Sequence, residues 1–206
     1  MKFENGHVYH VYNQGNNKQA IFHTHNDYVE FIKFSKEYVA PNCDILAWCL
    51  LPNHFHFMIA ANDSSAKPHR QGSLIIDNLT NGFRKLISGY AHQFNKRNQR
   101  SGSLFRSKTK AKDLSAQKTN PSTARADYYL NCFYYIHQNP LRHHLVKDLN
   151  QWKYSSYAFY AGKREKDMCN KQLGVEICEY ETSTFVHLAN TRLPDHFLDF
   201  IESYKD

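Results

Sequence analysis

Leu51-Pro52-Asn53-His54-Phe55-His56-Phe57-Met58-Ile59 is the stretch on which the reading of this chain turns. It has the form of a turn and the second arm of a β-hairpin whose first arm is Ile45-Leu46-Ala47-Trp48-Cys49-Leu50. Side chains alternate along a strand, so His54 and His56 share one side and Phe55 and Phe57 the other. Two imidazoles so spaced on a rigid strand can hold one metal ion, while the phenylalanines anchor the strand in a core. Histidine pairs on half-exposed strands are common by themselves. Here the pair follows a Pro-Asn turn, alternates with aromatic anchors and is matched by a second constellation on a later helix.

Upstream of the hairpin, residues 7–13 are β-branched and aromatic and read as a strand closed by Gln14-Gly15-Asn16-Asn17. A helix is expected from Asn26, as its cap, through Val39, ending at Pro41-Asn42. Downstream, residues 62–72 read as a polar loop, and a long helix over 74–97 carries Leu79, Phe83, Leu86, Ile87, Tyr90 and Phe94 as its apolar stripe. A strand is expected from Leu104 to Lys112, with Arg106, Lys108, Lys110 and Lys112 on one face as a phosphate track or a solvated edge. Residues 114–124 read as a loop, and a helix over 125–138 stops at Asn139-Pro140. The order β-α-β-β-α-β-α predicts an α+β, ferredoxin-like, four-stranded antiparallel sheet under two helices, with one helix extra. Trp152 to Tyr157 is expected to pack back as an aromatic clip. Lys163 to Asp167 reads as a linker, and residues 193–204 as a terminal helix. The expected division is a main domain over 1–162 and an extension over 163–206.

The 206 residues carry a net charge of +7, with 13 histidines and 14 tyrosines, a balance that favours a polyanionic partner. Between Arg84 and Lys118 ten cations face a single acid, Asp113. No apolar run approaches the ~20 residues of a membrane helix, and the start of the chain turns polar at once, so a cytoplasmic location is expected. The five cysteines are odd in number and form no CxxC pair, which argues against a zinc ribbon or a disulfide framework.

The second constellation lies on the helix 126–139. At about 100° per residue, Ala126, Tyr129, Leu130, Phe133 and Ile136 form the expected core stripe. Tyr128, Tyr135 and Asn139 fall opposite, with Tyr135 and Asn139 one turn apart. A phenol and a carboxamide on one face can meet a metal held by His54 and His56. Asn139 would then be the third ligand and Tyr135 a nucleophile beside the ion. Mg²⁺ or Mn²⁺, held by few protein groups, keeps positions open for phosphate oxygens. A tyrosine hydroxyl can then displace a 3′-hydroxyl and hold DNA as a 5′-phosphotyrosine, conserving the bond energy for rejoining.

Leu51-Pro52-Asn53-His54-Phe55-His56, Gly102-Ser103-Leu104-Phe105-Arg106, Tyr135-Ile136-His137-Gln138-Asn139-Pro140-Leu141-Arg142 and Trp152-Lys153-Tyr154-Ser155-Ser156-Tyr157, in this order, resemble the HUH single-tyrosine transposases, in particular the REP-associated tyrosine transposases. The resemblance spans about residues 7–162. It implies a divalent metal (Mg²⁺ or Mn²⁺) on His54, His56 and Asn139, Tyr135 as nucleophile, and metal-dependent cleavage and rejoining of single-stranded DNA, often beside imperfect hairpins. Arg84, Arg106, Lys108 and Lys110 are the expected contacts to the DNA backbone. Two positions depart from the family pattern. Gln14 stands where many relatives have arginine, and Arg142-His143-His144 replaces the usual Arg-Ala-Gly. The alternatives are a hairpin-binding protein without turnover and a phosphodiesterase in which water attacks. Single-stranded or hairpin DNA is the expected partner, with no membrane, and monomer and homodimer are both compatible with the family.

Overall fold

The computed structural model describes residues 1–115 and 125–193, together with 195, 197 and 198. Its centre is a four-stranded antiparallel sheet in the order β2-β3-β1-β6, made from β1 (Val8–Gln14), β2 (Asp44–Leu51), β3 (His54–Ala60) and β6 (Lys110–Asp113). Helix α1 (His25–Phe34) connects β1 to β2, and α3 (Asn78–Arg97) lies between β3 and β6, which is the ferredoxin-like arrangement. The turn Pro52-Asn53 joins β2 to β3 with Leu51 opposite His54, so Leu50 pairs with Phe55 and Trp48 with Phe57 on one face. A bulge between Ile45 and Ala47 resets the register without turning those side chains over.

Each face of the sheet carries its own core. Val11, Trp48, Leu50, Phe55, Phe57 and Ile59 pack with Phe31 of α1 and with Phe83, Leu86 and Tyr90 of α3. Tyr90 Oη donates to the Ile21 carbonyl at 2.5 Å, so its buried hydroxyl is satisfied within that aromatic cluster. The opposite face, bearing Val8, Leu46, Cys49, Leu51 and Met58, is covered by α4 (Arg125–Arg142). Beyond α4, the short helices α5 (Tyr157–Tyr160), α6 (Lys171–Cys178) and α7 (Phe185–Ala189) close over its outer side, where Phe133 meets Tyr160, Tyr180 and Phe185.

Several boundaries differ from expectation. Thr24, rather than Asn26, caps α1 in a capping box with Asp27, because the Asp27 carboxylate accepts from the backbone of Thr24 at 2.8 Å. Residues 62–72 are not a plain loop. They hold α2 (Asp63–Ala66) and β4 (Pro68–Gln71), which pairs with β5 (Leu74–Asp77). The long helix therefore begins at Asn78, capped by Asp77, which accepts from Thr80 N at 2.6 Å. The strand expected over 104–112 is only Lys110–Asp113, preceded by a single bridge between Gly15 and Phe105. The four cations thus do not form one strand face.

Helix α4 does not stop at Asn139-Pro140 but runs to Arg142 and ends in a left-handed residue, His144, at φ 54°. His144 N donates to Leu141 O and Leu145 N to Pro140 O, both at 2.9 Å, which is the Schellman pattern. The expected clip is present along β2: Leu50 N donates to Tyr154 O, and Ser156 N to Trp48 O, both at 2.9 Å. The stretch 163–167 is tied down rather than a loose linker, since Trp48 Nε1 donates to Asp167 Oδ1 at 2.7 Å and Arg164 pairs with the same carboxylate. The expected loop over 114–124 and terminal helix over 193–204 lie for the most part outside the described residues. Among the described residues no helix is long and apolar enough to cross a membrane, and all five cysteines are free thiols.

Candidate functional site

A cleft of about 390 Å³ opens where the ends of β1 and β3 meet α4. It is lined by His54 and His56 of β3, His10 and Tyr12 of β1, and Tyr135 of α4, with Arg106, Lys108, Lys110 and Lys18 at its walls. Antiparallel pairing puts these side chains in rows. Cys49, His56, Tyr12 and Lys110 stand opposite one another across four strands, and Leu51, His54 and Gln14 form the next row. Gly15 ends β1 beside this row where a Cβ would stand 2.1 Å from the Gln19 carbonyl oxygen, so only glycine fits the turn that carries Lys18.

The sheet brings the histidine pair to a defined pose. His54 Nδ1 lies 2.6 Å from Asn53 Oδ1, and His56 Nδ1 lies 2.8 Å from His10 Nε2. His10 is almost fully buried, and burial, with Lys112 nearby, lowers its pKa to about 3, so it stays neutral. Tyr135 stands over the pair, its ring 5.6 Å from His56 and 6.0 Å from His10, both edge-on. One helical span further on, His143 meets His54 at 4.9 Å.

Asn139 lies on α4 between those two contacts, four residues from each. Its Nδ2 donates to the Tyr135 carbonyl at 2.8 Å, and its fully buried Oδ1 has no hydrogen-bond partner. A buried carboxamide oxygen without a partner, on the turn between Tyr135 and His143, suits a third oxygen donor beside two imidazoles. Among the described residues no three His, Cys, Asp or Glu are grouped to hold a metal. Asn139 itself does not line the open cleft.

Of the expected DNA contacts, Arg106, Lys108 and Lys110 line the cleft, while Arg84 is exposed on α3, the helix packed on the opposite face of the sheet. The cationic run also has structural members, since Arg97 pairs with Asp27 at 2.9 Å and with Glu30 at 2.7 Å. No carboxylate is among the described lining residues. His10, Tyr12, Asn13, Lys18 and His143 belong to the site but not to the sequence-based set. The period-two reading of residues 7–13 would have shown His10 and Tyr12 on one face, and only the strand order shows that this is the His54 face.

Four chains of known structure match this one. Among them is a REP-associated tyrosine transposase bound to a REP hairpin, with a TM-score of 0.52 and 17% identity, covering 82% of this chain and 86% of that one. This likeness is one of fold. No family model matches the chain, and no curated protein matches it.

Proposed function

We propose that the chain binds hairpin-forming DNA and cleaves and rejoins single strands at this cleft, with Tyr135 as nucleophile. The observation that carries the reading is the meeting of Tyr135 with His56, beside His54, in a cleft walled by cations and with no carboxylate among its described lining residues. The fold shared with a transposase that is bound to a hairpin supports it.

In this reading Lys18, Arg106, Lys108 and Lys110 neutralise successive phosphates and hold the strand in register. The Tyr135 hydroxyl attacks one phosphorus in line, the bond from phosphorus to the 3′-oxygen breaks, and the 3′-hydroxyl leaves after taking up a proton. The 5′-phosphate stays on Tyr135 Oη until the 3′-hydroxyl of a second strand attacks it and the phenol leaves. No external energy source is needed because one phosphodiester is exchanged for another. His54, His56 and Asn139 would hold a divalent cation, Mg²⁺ or Mn²⁺, which polarises the phosphorus and stabilises the leaving oxygen when bound.

One observation favours a second reading. Tyr135 is only 1% exposed, and its ring is covered by Arg142 at 5.5 Å and Phe197 at 6.5 Å. A chain with its phenol so enclosed could bind hairpins without turnover. The test uses labelled single-stranded DNA carrying a hairpin, with Mn²⁺ or Mg²⁺, resolved on a denaturing gel. Tyr135→Phe is run beside Tyr12→Phe, which removes the second phenol of the cleft. A metal-dependent protein–DNA adduct kept in Tyr12→Phe and lost in Tyr135→Phe is expected. An adduct surviving in Tyr135→Phe would sink the assignment. Cleavage without an adduct means water attacks, and specific binding without cleavage supports the second reading.

A further inference from the structure

Strand β1 brings to the site a histidine that none of the motifs contains. His10 is 1% exposed, and its Nε2 faces His56 Nδ1 at 2.8 Å with the two rings inclined by 20°. Tyr12 stacks on one side of His10 at 4.8 Å, and the edge of Tyr135 closes another at 6.0 Å, so the imidazole is packed into this pose.

Two neutral imidazoles at that distance share one proton between the facing nitrogens. If His10 Nε2 carried it, His56 would be protonated on its own Nε2 and could not hold a cation there. If His56 Nδ1 carries it, Nε2 presents a lone pair. The neighbouring ligand already has that form. His54 Nδ1 faces Asn53 Oδ1 at 2.6 Å, and a carboxamide oxygen only accepts, so His54 is protonated on Nδ1 and its lone pair is on Nε2. Because Nδ1 of His56 is taken up by His10, only its Nε2 is left for the same ion, and Nδ1 must then carry the proton.

We propose that His10 is a positioning residue: it accepts the Nδ1–H of His56 and holds that imidazole in the tautomer whose Nε2 can bind a divalent cation. The inference rests on the reading of His54 and His56 as metal ligands. A metal-bound histidine ordinarily donates its second N–H to a carboxylate or a carbonyl. A neutral imidazole in that place fixes the same tautomer without adding a negative charge to a cleft that would receive phosphates.

The first test is the ring-nitrogen NMR spectrum of metal-free protein labelled with ¹⁵N-histidine, with the His56 signals assigned by His56→Gln. Protonation of His56 on Nδ1 is expected in the wild type and in His10→Gln, whose carboxamide oxygen can accept in place of the imidazole. A mixture of tautomers is expected in His10→Phe. The second test is Mn²⁺ titration calorimetry on the same proteins, with thermal midpoints to check folding. His10→Phe should bind Mn²⁺ about 10–100-fold more weakly, the usual effect of losing an outer partner of a ligand, and His10→Gln should recover most of that loss. Wild-type His56 protonated on Nε2 overturns the proposal, and needs no variant to fold. Undiminished Mn²⁺ binding by folded His10→Phe overturns it as well. Protonation on Nδ1 with no Mn²⁺ binding by the wild type removes the metal reading of the site but leaves His10 as the partner that sets the tautomer.

Discussion

At His137, burial sets the sign of the molecule's response to acid. Its Nε2 lies 2.7 Å from Ser156 Oγ, which also accepts from Trp48 N at 3.0 Å, so one hydroxyl joins α4, the clip and β2. Burial lowers the pKa of His137 to about 3, as it does that of His10. In the unfolded chain both titrate near the ordinary value of about 6.5. Between about 6.5 and 3 the unfolded state therefore binds more protons, and stability falls as the pH falls. The expected slope is at most about 1.4 kcal/mol per pH unit for each histidine. Urea midpoints measured from neutral pH down to about 5 should drop accordingly. His137→Gln, which keeps a partner for Ser156, should remove about half of this histidine-dependent decline. A midpoint independent of pH over that window would mean that the two histidines are not buried in the neutral form.

At the scale of the element, α4 is the unusual component, because both of its long sides are covered. The sheet and its histidines take the side of Tyr135, and the segment after residue 157 takes the side of Phe133. The side expected to meet the histidines does so through Tyr135, while Phe133 of the expected core stripe meets the C-terminal segment and Tyr129 of the same stripe meets Ser115. Pro140 is tolerated because it lies in the last turn, where the hydrogen bond it cannot make is one of the final few of the helix. The helix then ends on His144 at φ 54°, an exposed residue in the left-handed region. Glycine takes that conformation without the clash of Cβ, at a cost in chain entropy. His144→Gly should stabilise the protein by about 0.5 kcal/mol, visible as a small rise in the thermal midpoint. A fall would show that the His144 side chain holds the cap.

For the whole molecule, the distribution of charge makes the sharpest prediction. Four cations of the cleft come from three separate places: Lys18 from the turn after β1, Arg106 and Lys108 from the approach to β6, and Lys110 from β6 itself. If each meets a phosphate, the logarithm of the binding constant for single-stranded DNA falls with the logarithm of salt, by about 0.7 per contact. Alanine at Arg106 or Lys108 should lower that slope by roughly this amount and weaken binding to all sequences alike. Arg84→Ala, on the far face of the sheet, should leave the slope unchanged. A fluorescence-anisotropy titration at several salt concentrations separates these outcomes, and an unchanged slope in Arg106→Ala would remove it from the track.

The sequence by itself determined the hairpin, because alternation and a Pro-Asn turn act between neighbours along the chain. It likewise determined that His54 and His56 share a face, that Tyr135 and Asn139 share a helical turn, and that the elements follow a ferredoxin-like order. Those are local geometries with periods of two and 3.6 residues. Only the tertiary structure decided which strands would be adjacent, and with that His10, Tyr12 and Lys18 joined the cleft and Arg84 left it. The expected strand over 104–112 failed for the same reason. Alternating lysines are compatible with a strand, but only Lys110 to Asp113 find an edge of β1 to pair with. The pattern of α4 put Tyr135 on the side expected at the histidines, where it meets His56, but not the burial of both sides, which depends on the segments that pack against the helix.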